Sequence, residues 1–405
     1  MATTLLHLSQ VQVRRGMRVV LDRQELTVES GQTVVLWGAN GTGKSTLLET
    51  AAGLLPLEVG HVQHGDSVVL DSEGRRRRTP LTLGVVLQKN GMLGGERVGE
   101  HLQCAMSMSG RSIDIEPFLA AFHLTHRAND TVAQLSQGQA RKVAVLAGLL
   151  PAFASQAPGL VLLDEPDAGL DHDAVVALCG WLDELRARGH GLLLATHDDR
   201  LRAHATHVLD LAKDGVEPVD EAPTLPDTHE RTSTSTRPLA AGAFGVRMHL
   251  RTMVWLNTNA MAALLTLGVM LAMGEFMSEL DGMQQLGAVL APALAAGLCG
   301  EPLVAALREE RAGVWWRAVN RSEPHASWLP LLIGLAVGFF SATALAYPLD
   351  ATTLGAAGLL CFAVWHGVGW MQRSTQRLAR PQAVFVGLLT PVLILPYSLL
   401  VSLLS

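Results

Sequence analysis

Hydrophobic and polar positions change rhythm along the chain. Over residues 5–28 they alternate, with breaks at Arg15-Gly16 and at Asp22-Arg23, which predicts short antiparallel strands. An apolar, β-branched run follows at residues 33–36, a fully apolar one at 160–163 and another apolar one at 191–195, each the mark of a buried strand. Another run, GVVLQ, closes on Gln88. The patterns LLETAAGLL and ARKVAVLAGLL predict helices. Residues 218–237 carry no periodicity and abound in Pro, Thr, Ser and acid, the composition of a flexible linker. Beyond it lie five apolar stretches long enough to cross a bilayer, at residues 254–276, 286–307, 328–347, 352–371 and 383–404. The expected organisation is an α/β domain over 1–215, a linker over 216–243 and an all-α polytopic membrane domain over 244–405.

Composition agrees with that division. Of the 405 residues 49% are hydrophobic, and charged residues crowd the first half. A net charge of -6 without a dominant basic face argues against nucleic acid as a partner. The run from Arg75 to Arg78 reads as a solvated loop rather than a binding patch. Cys104, Cys179, Cys299 and Cys361 form no C-x-x-C pair and suit buried thiols in a reducing compartment. The opening MATTLLHLSQVQV alternates like a strand and lacks the apolar core of a signal peptide, which puts the first half in the cytoplasm.

The chemistry begins at GANGTGKST, residues 38–46, between a buried strand and a helix. This spacing of Gly38, Gly41, Gly43, Lys44, Ser45 and Thr46, with Asn40 inside the loop, fits a phosphate cradle of inward-pointing N–H groups. Lys44 would reach the β- and γ-phosphates and Ser45 would hold Mg²⁺. At LSQGQ, Ser136, Gly138 and Gln139 open a helix and form a second candidate phosphate contact. The strand at 160–163 delivers Asp164 and Glu165 to its end, suiting Asp164 to the Mg²⁺ shell and Glu165 to the attacking water. The strand at 191–195 brings His197 to its tip, in reach of a γ-phosphate. Gln88 is either a polar strand end or a sensor between these segments.

In this order the motifs resemble the nucleotide-binding domain of ABC transporters, over roughly residues 1–211. The resemblance implies a P-loop ABC ATPase using ATP and Mg²⁺ as a head-to-tail homodimer, with composite ATP sites. In these sites Ser136, Gly138 and Gln139 of one subunit close over ATP held by the other. Glu165, His197 and Gln88 would be catalytic, Ser45, Gln88 and Asp164 would contact the metal, and Asp171 of the AGLD motif would join the nucleotide site. Gln137 stands where the family most often has glycine. The adenine-stacking aromatic is missing, its region (residues 13–18) reading VRRGMR, so Arg14 or Arg15 either stacks on the base or is solvated.

Arginines 247, 251, 308, 311, 317, 321, 373, 377 and 380 fall in alternate loops of the membrane half, whereas the loops near Asp281 and Asp350 carry acid. The arginine loops should therefore face the cytoplasm. The expected location is the inner (cytoplasmic) membrane, multi-pass and in contact with lipid. Residues 308–324 (REERAGVWWRAVNRSEP) read as an interfacial helix resting on the ATPase, with Trp315 and Trp316 at its centre. His366, an intramembrane histidine, reads as a packing or hydrogen-bonding group sooner than a haem ligand. ATPase first and compact membrane domain second resembles ABC-2 type exporters, of five to six spans. Within these, LSQGQARKVAVLAGLL, the Arg15-Gly16 turn and LLTPVLILPYSLL are similar to the Ccm haem exporter of cytochrome c maturation, as a fusion of its ATPase and membrane subunits. That would imply haem, or a haem chaperone, as partner at the outer face. Export of a lipid, drug or peptide, and a non-transporting signalling ATPase, are the alternatives.

Overall fold

The computed structural model describes residues 3–211, 216–219, 232–237, 239–273, 280–320 and 322–375. Two compact units result, Met1–Leu239 with Glu310–Glu323 and Ala240–Glu309 with Pro324–Ser405.

In the first unit, β1 (Thr4–Arg15), β2 (Arg18–Glu29), β4 (Val59–His64) and β5 (Ser67–Asp71) form an antiparallel sheet in the order β2-β1-β4-β5. The turn at Gly16 falls where the sequence breaks. The second break, at Asp22-Arg23, does not end a strand: Arg23 has φ 46 and the register slips between Val11↔Gln24 and Val13↔Leu21. It is a bulge, and the ladder of β1 carries β2 past the extra residue.

The apolar runs become β3 (Thr33–Trp37), β8 (Leu160–Asp164) and β9 (Gly191–Ala195). With β6 (Leu83–Val86), β10 (His207–Asp210) and β11 (Val216–Pro218) they make a sheet ordered β11-β10-β3-β9-β8-β6. All neighbours are parallel except β11, which pairs antiparallel on the edge. Residues 216–218, expected in the linker, thus add a strand. Parallel pairing brings the carboxyl ends of β3, β9 and β8 to one level, with Leu36 and Asp164 both beside Ala195. This is the edge where α/β sheets hold ligands.

Helices α1 (Lys44–Ala51), α2 (Val98–Ser107), α3 (Glu116–Ala121), α4 (Gln137–Ala154), α5 (His172–Ala187) and α6 (Asp199–Arg202) complete the main body of this unit. Helix α4 opens on a capping box: Ser136 Oγ accepts from Gln139 N at 3.2 Å and Gln139 Oε1 accepts from Ser136 N at 3.0 Å. β12 (Thr234–Ser235) pairs with β7 (Arg111–Ser112), so a second part of the expected linker is tied into a two-stranded ladder.

The second unit is helical. α7 (Ala241–Thr252) is followed by Met253 at φ 49, a π turn over Leu256–Ala260 and α8 (Met261–Ala272), with a bend of 64°. α9 (Gly282–Leu298) starts on an Asp281 capping box. α10 (Leu303–Glu309) continues α9 past Gly300 and Pro302. α12 (Leu329–Ala344) and α13 (Ala351–Thr375) follow; the residues between α10 and α12 include α11 (Ala312–Asn320), which belongs to the first unit. Two of these segments, Gly282–Glu309 and Ala351–Ser374, are long and apolar enough to cross a membrane among the described residues; the bent pair makes a third if it is one span. α12 has 16 residues, a rise of about 24 Å. Residues 383–404, with Pro391 and Pro396, lie outside the described residues. The core of this unit joins Val246, Ala293, Ala296, Ile333, Ala357 and Trp365. Small residues let these helices approach closely, and Asn259 Nδ2 links two of their turns by donating to Ala296 O (2.8 Å) and Gly300 O (3.0 Å). His366 Nε2 bonds to Ser327 O at 2.7 Å, so it is engaged as a hydrogen-bonding group.

Candidate functional site

The site is built on the carboxyl edge of the parallel sheet. β3 ends in the glycine loop, where Gly38 (φ 138), Gly41 (φ 82) and Gly43 (φ 108) all occupy backbone conformations that side chains disfavour. That curl turns the chain into α1. Asn40 and Gly41 are exposed, and Thr46 is buried under the loop. Lys44, 5% exposed, donates to the carbonyls of Gly38 (2.8 Å) and Ala39 (3.0 Å). Burial pushes its ammonium below the usual lysine range, against the pull of Glu165 and Asp164. Its charge therefore sits inside the loop, held by two carbonyls.

Ser45 Oγ donates to Asp164 Oδ1 at 3.0 Å, joining the start of α1 to the end of β8. Asp164 is fully buried and its Oδ2 makes no hydrogen bond among the described residues. Burial, helped by Glu165 and Glu49, pushes its carboxyl up to about 6, while Ser45 and Arg141 oppose the rise. An orphaned buried carboxylate oxygen beside a serine hydroxyl fits a hard divalent cation. Glu165 follows at φ 47, a left-handed conformation that non-glycine residues rarely adopt. Its N–H donates to Ala195 O at 2.7 Å, so β9 holds it there.

Across the same edge, His197 is exposed beyond β9, its ring 6.4 Å from that of Trp37. The Arg202 guanidinium covers Trp37 at 4.4 Å, a cation–π contact. Gln88 lies exposed two residues beyond β6. Sequence reasoning did not single out Arg141. From α4, its Nη1 donates to Leu87 O (2.7 Å) and Asn90 Oδ1 (3.3 Å), and its Nη2 to the carbonyls of Asp164 and Glu165 (2.7 Å). One buried guanidinium thus binds α4, the Gln88 segment and the Asp164–Glu165 turn. The signal was an arginine two residues past the LSQGQ motif, and its partners lie more than twenty residues away.

Ser136, Gly138, Gln139 and Asp171 come together elsewhere. They line a hollow of about 530 Å³ with Phe122 and Lys142, and none of the phosphate-loop residues lines it. Asp171 caps α5 by accepting from Ala174 N at 2.9 Å and pairs with Lys142, which holds its carboxyl below the usual range. The two arginines weighed as base-stacking groups are both ion-paired, Arg14 with Glu58 at 2.6 Å and Arg15 with Glu49 at 2.8 Å.

A second feature is α11. Its Trp315 is buried and donates Nε1–H to Val85 O of β6 at 3.2 Å. The ring lies 5.1 Å from that of His101, whose Nδ1 bonds Glu96 Oε2 at 2.5 Å. Only a glycine fits at position 91, because a Cβ there would lie 2.8 Å from Trp315 Cβ. Trp315 is therefore seated between β6 and the stretch that follows Gln88.

A family model described as ABC transporter matches residues 21–168. The chain is 32% identical over 241 residues to an aliphatic sulfonates import ATP-binding protein of Paraburkholderia xenovorans, covering 59% of this chain and 87% of that protein. It is 34% identical over 209 residues to a cytochrome c biogenesis ATP-binding export protein of Gluconobacter oxydans (49% and 86% covered). With a macrolide export ATP-binding/permease protein of Hyphomonas neptunium it shares 30% identity over 202 residues, 48% of this chain and 30% of that protein. Among solved structures, the ATP binding subunit of an ABC transporter has 24% identity and a TM-score of 0.45, covering 53% of this chain and 90% of that chain.

Proposed function

The chain belongs to the ABC transporter ATP-binding family, whose domains hydrolyse ATP, and on that premise we propose that it is an ATP-driven exporter half-transporter of the inner membrane, active as a homodimer. The observation that carries the coupling is the placement of Glu310–Glu323: flanked on both sides by sequence of the helical unit, it folds as part of the ATPase unit. Exposed Leu264, Leu265, Phe340, Leu359 and Trp370 support contact of the helical unit with lipid. The hollow at Ser136 and Asp171, separate from the phosphate loop, supports a site that a second copy completes.

In this reading Lys44 exchanges the Gly38 and Ala39 carbonyls for phosphate oxygens, while the N–H groups around Gly41 and Gly43 cradle them. Glu165 orients or deprotonates the attacking water, and His197 and Gln88 approach the γ-phosphate from the tips of β9 and β6. Mg²⁺, held by Ser45, Asp164 and Gln88, would neutralise charge on the phosphates. Below about pH 6 the Asp164 carboxyl carries a proton that the cation must displace. Apparent Mg²⁺ affinity, corrected for protonation of ATP itself, is expected to fall about tenfold per pH unit below that point and to be level above it. Mg²⁺ titrations of the hydrolysis rate from about pH 5 to about pH 8 test this, and a level profile throughout contradicts it.

Replacing Trp315 and Trp316 together by Ala is expected to leave ATP hydrolysis running while transport is lost. Matched assays of hydrolysis and transport on the folded variant check this, and loss of both activities counts against the role of α11.

For cargo, haem or release of a haem chaperone at the outer face is the finer reading, supported by the Gluconobacter relative and the resemblance in LSQGQARKVAVLAGLL. An apolar hollow of about 560 Å³ in the helical unit, lined by Trp255, Leu267, Ile333, Val337 and Phe340, favours a lipid or apolar drug as the second reading. Haem staining of c-type cytochromes separates them, in cells whose own system is deleted and replaced by this protein. Restored cytochromes with the wild type and none with Glu165→Gln support haem; no restoration with either favours the apolar cargo.

A further inference from the structure

Helix α1 carries one buried acid that the mechanism above leaves unused. Glu49 lies four residues beyond Ser45, on the same face of α1, and is 2% exposed. Its two oxygens are taken by different arginines: Oε2 by Arg15 Nη2 at 2.8 Å, Oε1 by Arg311 Nη1 at 2.6 Å.

The two guanidiniums come from stretches far apart in sequence. Arg15 ends β1, in the hairpin whose return strand leans on the phosphate loop, since a Cβ on Gly43 would lie 3.3 Å from both Val20 and Leu21. Arg311 precedes α11, and its carbonyl accepts from Val314 N (3.0 Å) and Trp315 N (3.1 Å). Arg311 has φ 55, a conformation a side-chain-bearing residue keeps only where its surroundings hold it. A buried carboxylate is well satisfied by two charge-assisted partners and poorly by one. The hairpin at the phosphate loop and the helix that seats Trp315 therefore share a single anion.

We propose that Glu49 is a positioning residue for energy coupling. Through Arg15–Glu49–Arg311, docking of α11 sets the hairpin beside the nucleotide, and nucleotide occupancy acts back on α11 by the same link. This rests on the reading that α11 carries ATPase motion to the helical unit.

The test measures Mg-ATP affinity of the full chain in lipid nanodiscs, in a Glu165→Gln background that removes turnover. Glu49→Gln and Arg311→Ala are each expected to change affinity about fivefold or more. Their combination should add nothing further, and Arg311→Ala should be silent once Arg15→Ala is present. The exchanged pair Glu49→Arg with Arg311→Glu should not recover the loss, because an arginine at position 49 repels Arg15 and leaves the link broken, whereas a merely structural 49–311 ion pair would be restored by the exchange. An Arg311→Ala effect of the same size with and without Arg15 overturns the proposal, as does unchanged affinity in a folded Glu49→Gln protein. If instead the Trp315/Trp316 double variant stays coupled while the Arg15-dependence holds, the role of α11 in transport fails and the Glu49 link stands.

Discussion

Glu165→Gln is expected to cut ATP turnover by about a hundredfold or more and to trap ATP in a stable dimer. The substitution keeps shape and hydrogen-bonding capacity but removes the group that can take a proton from water. Backbone placement is untouched, because the N–H of residue 165 still donates to Ala195 O and the carbonyl still receives Arg141. The variant should therefore bind nucleotide as well as the parent, and sedimentation with and without Mg-ATP should show dimer accumulating. Turnover at the parent rate would remove Glu165 from its assigned role.

Arg141→Ala is expected to lower both stability and turnover. The guanidinium is 5% exposed and serves four acceptors on two segments, residues 87–90 and 164–165. Its loss leaves the carbonyls of buried Leu87 and Asp164, and of half-buried Glu165, without that donor, at a cost on the order of 3 kcal/mol. The catalytic effect follows from position: Glu165 sits at φ 47, and removing a bond that holds its carbonyl lets the turn relax away from that conformation. Arg141→Lys should restore part of the stability, since an ammonium can reach one acceptor, and little of the turnover, since it cannot join both segments. Thermal unfolding and hydrolysis rates on both variants check this. Full turnover in a stable Arg141→Ala protein would contradict it.

The phosphate loop, the Asp164-Glu165 pair and the parallel strands beneath them were legible because each is a contiguous run whose period or spacing has one physical use. Arg141 and Glu49 were not, because their meaning lies in partners brought by the fold: Leu87 for one, Arg15 and Arg311 for the other. The strand at Val216–Pro218 was hidden for a related reason, since three residues show no period and gain strand character only from the free edge of β10. In the helical unit, hydropathy located the apolar stretches but not the 64° bend after Thr252 or the break at Gly300 and Pro302. The segment 310–323 was legible as a tryptophan-bearing helix, yet the space at Gly91 that receives Trp315 was not.

The most direct test of coupling needs no cargo. Hydrogen exchange of the full-length Glu165→Gln protein in nanodiscs is compared with and without Mg-ATP, alone and with Trp315→Ala/Trp316→Ala. Coupling predicts that nucleotide changes protection in Met261–Ala272, Gly282–Leu298 and Ala351–Thr375 as well as in the ATPase unit, and that the tryptophan substitutions abolish only the former. Nucleotide-dependent changes confined to the ATPase unit in the parent would contradict it.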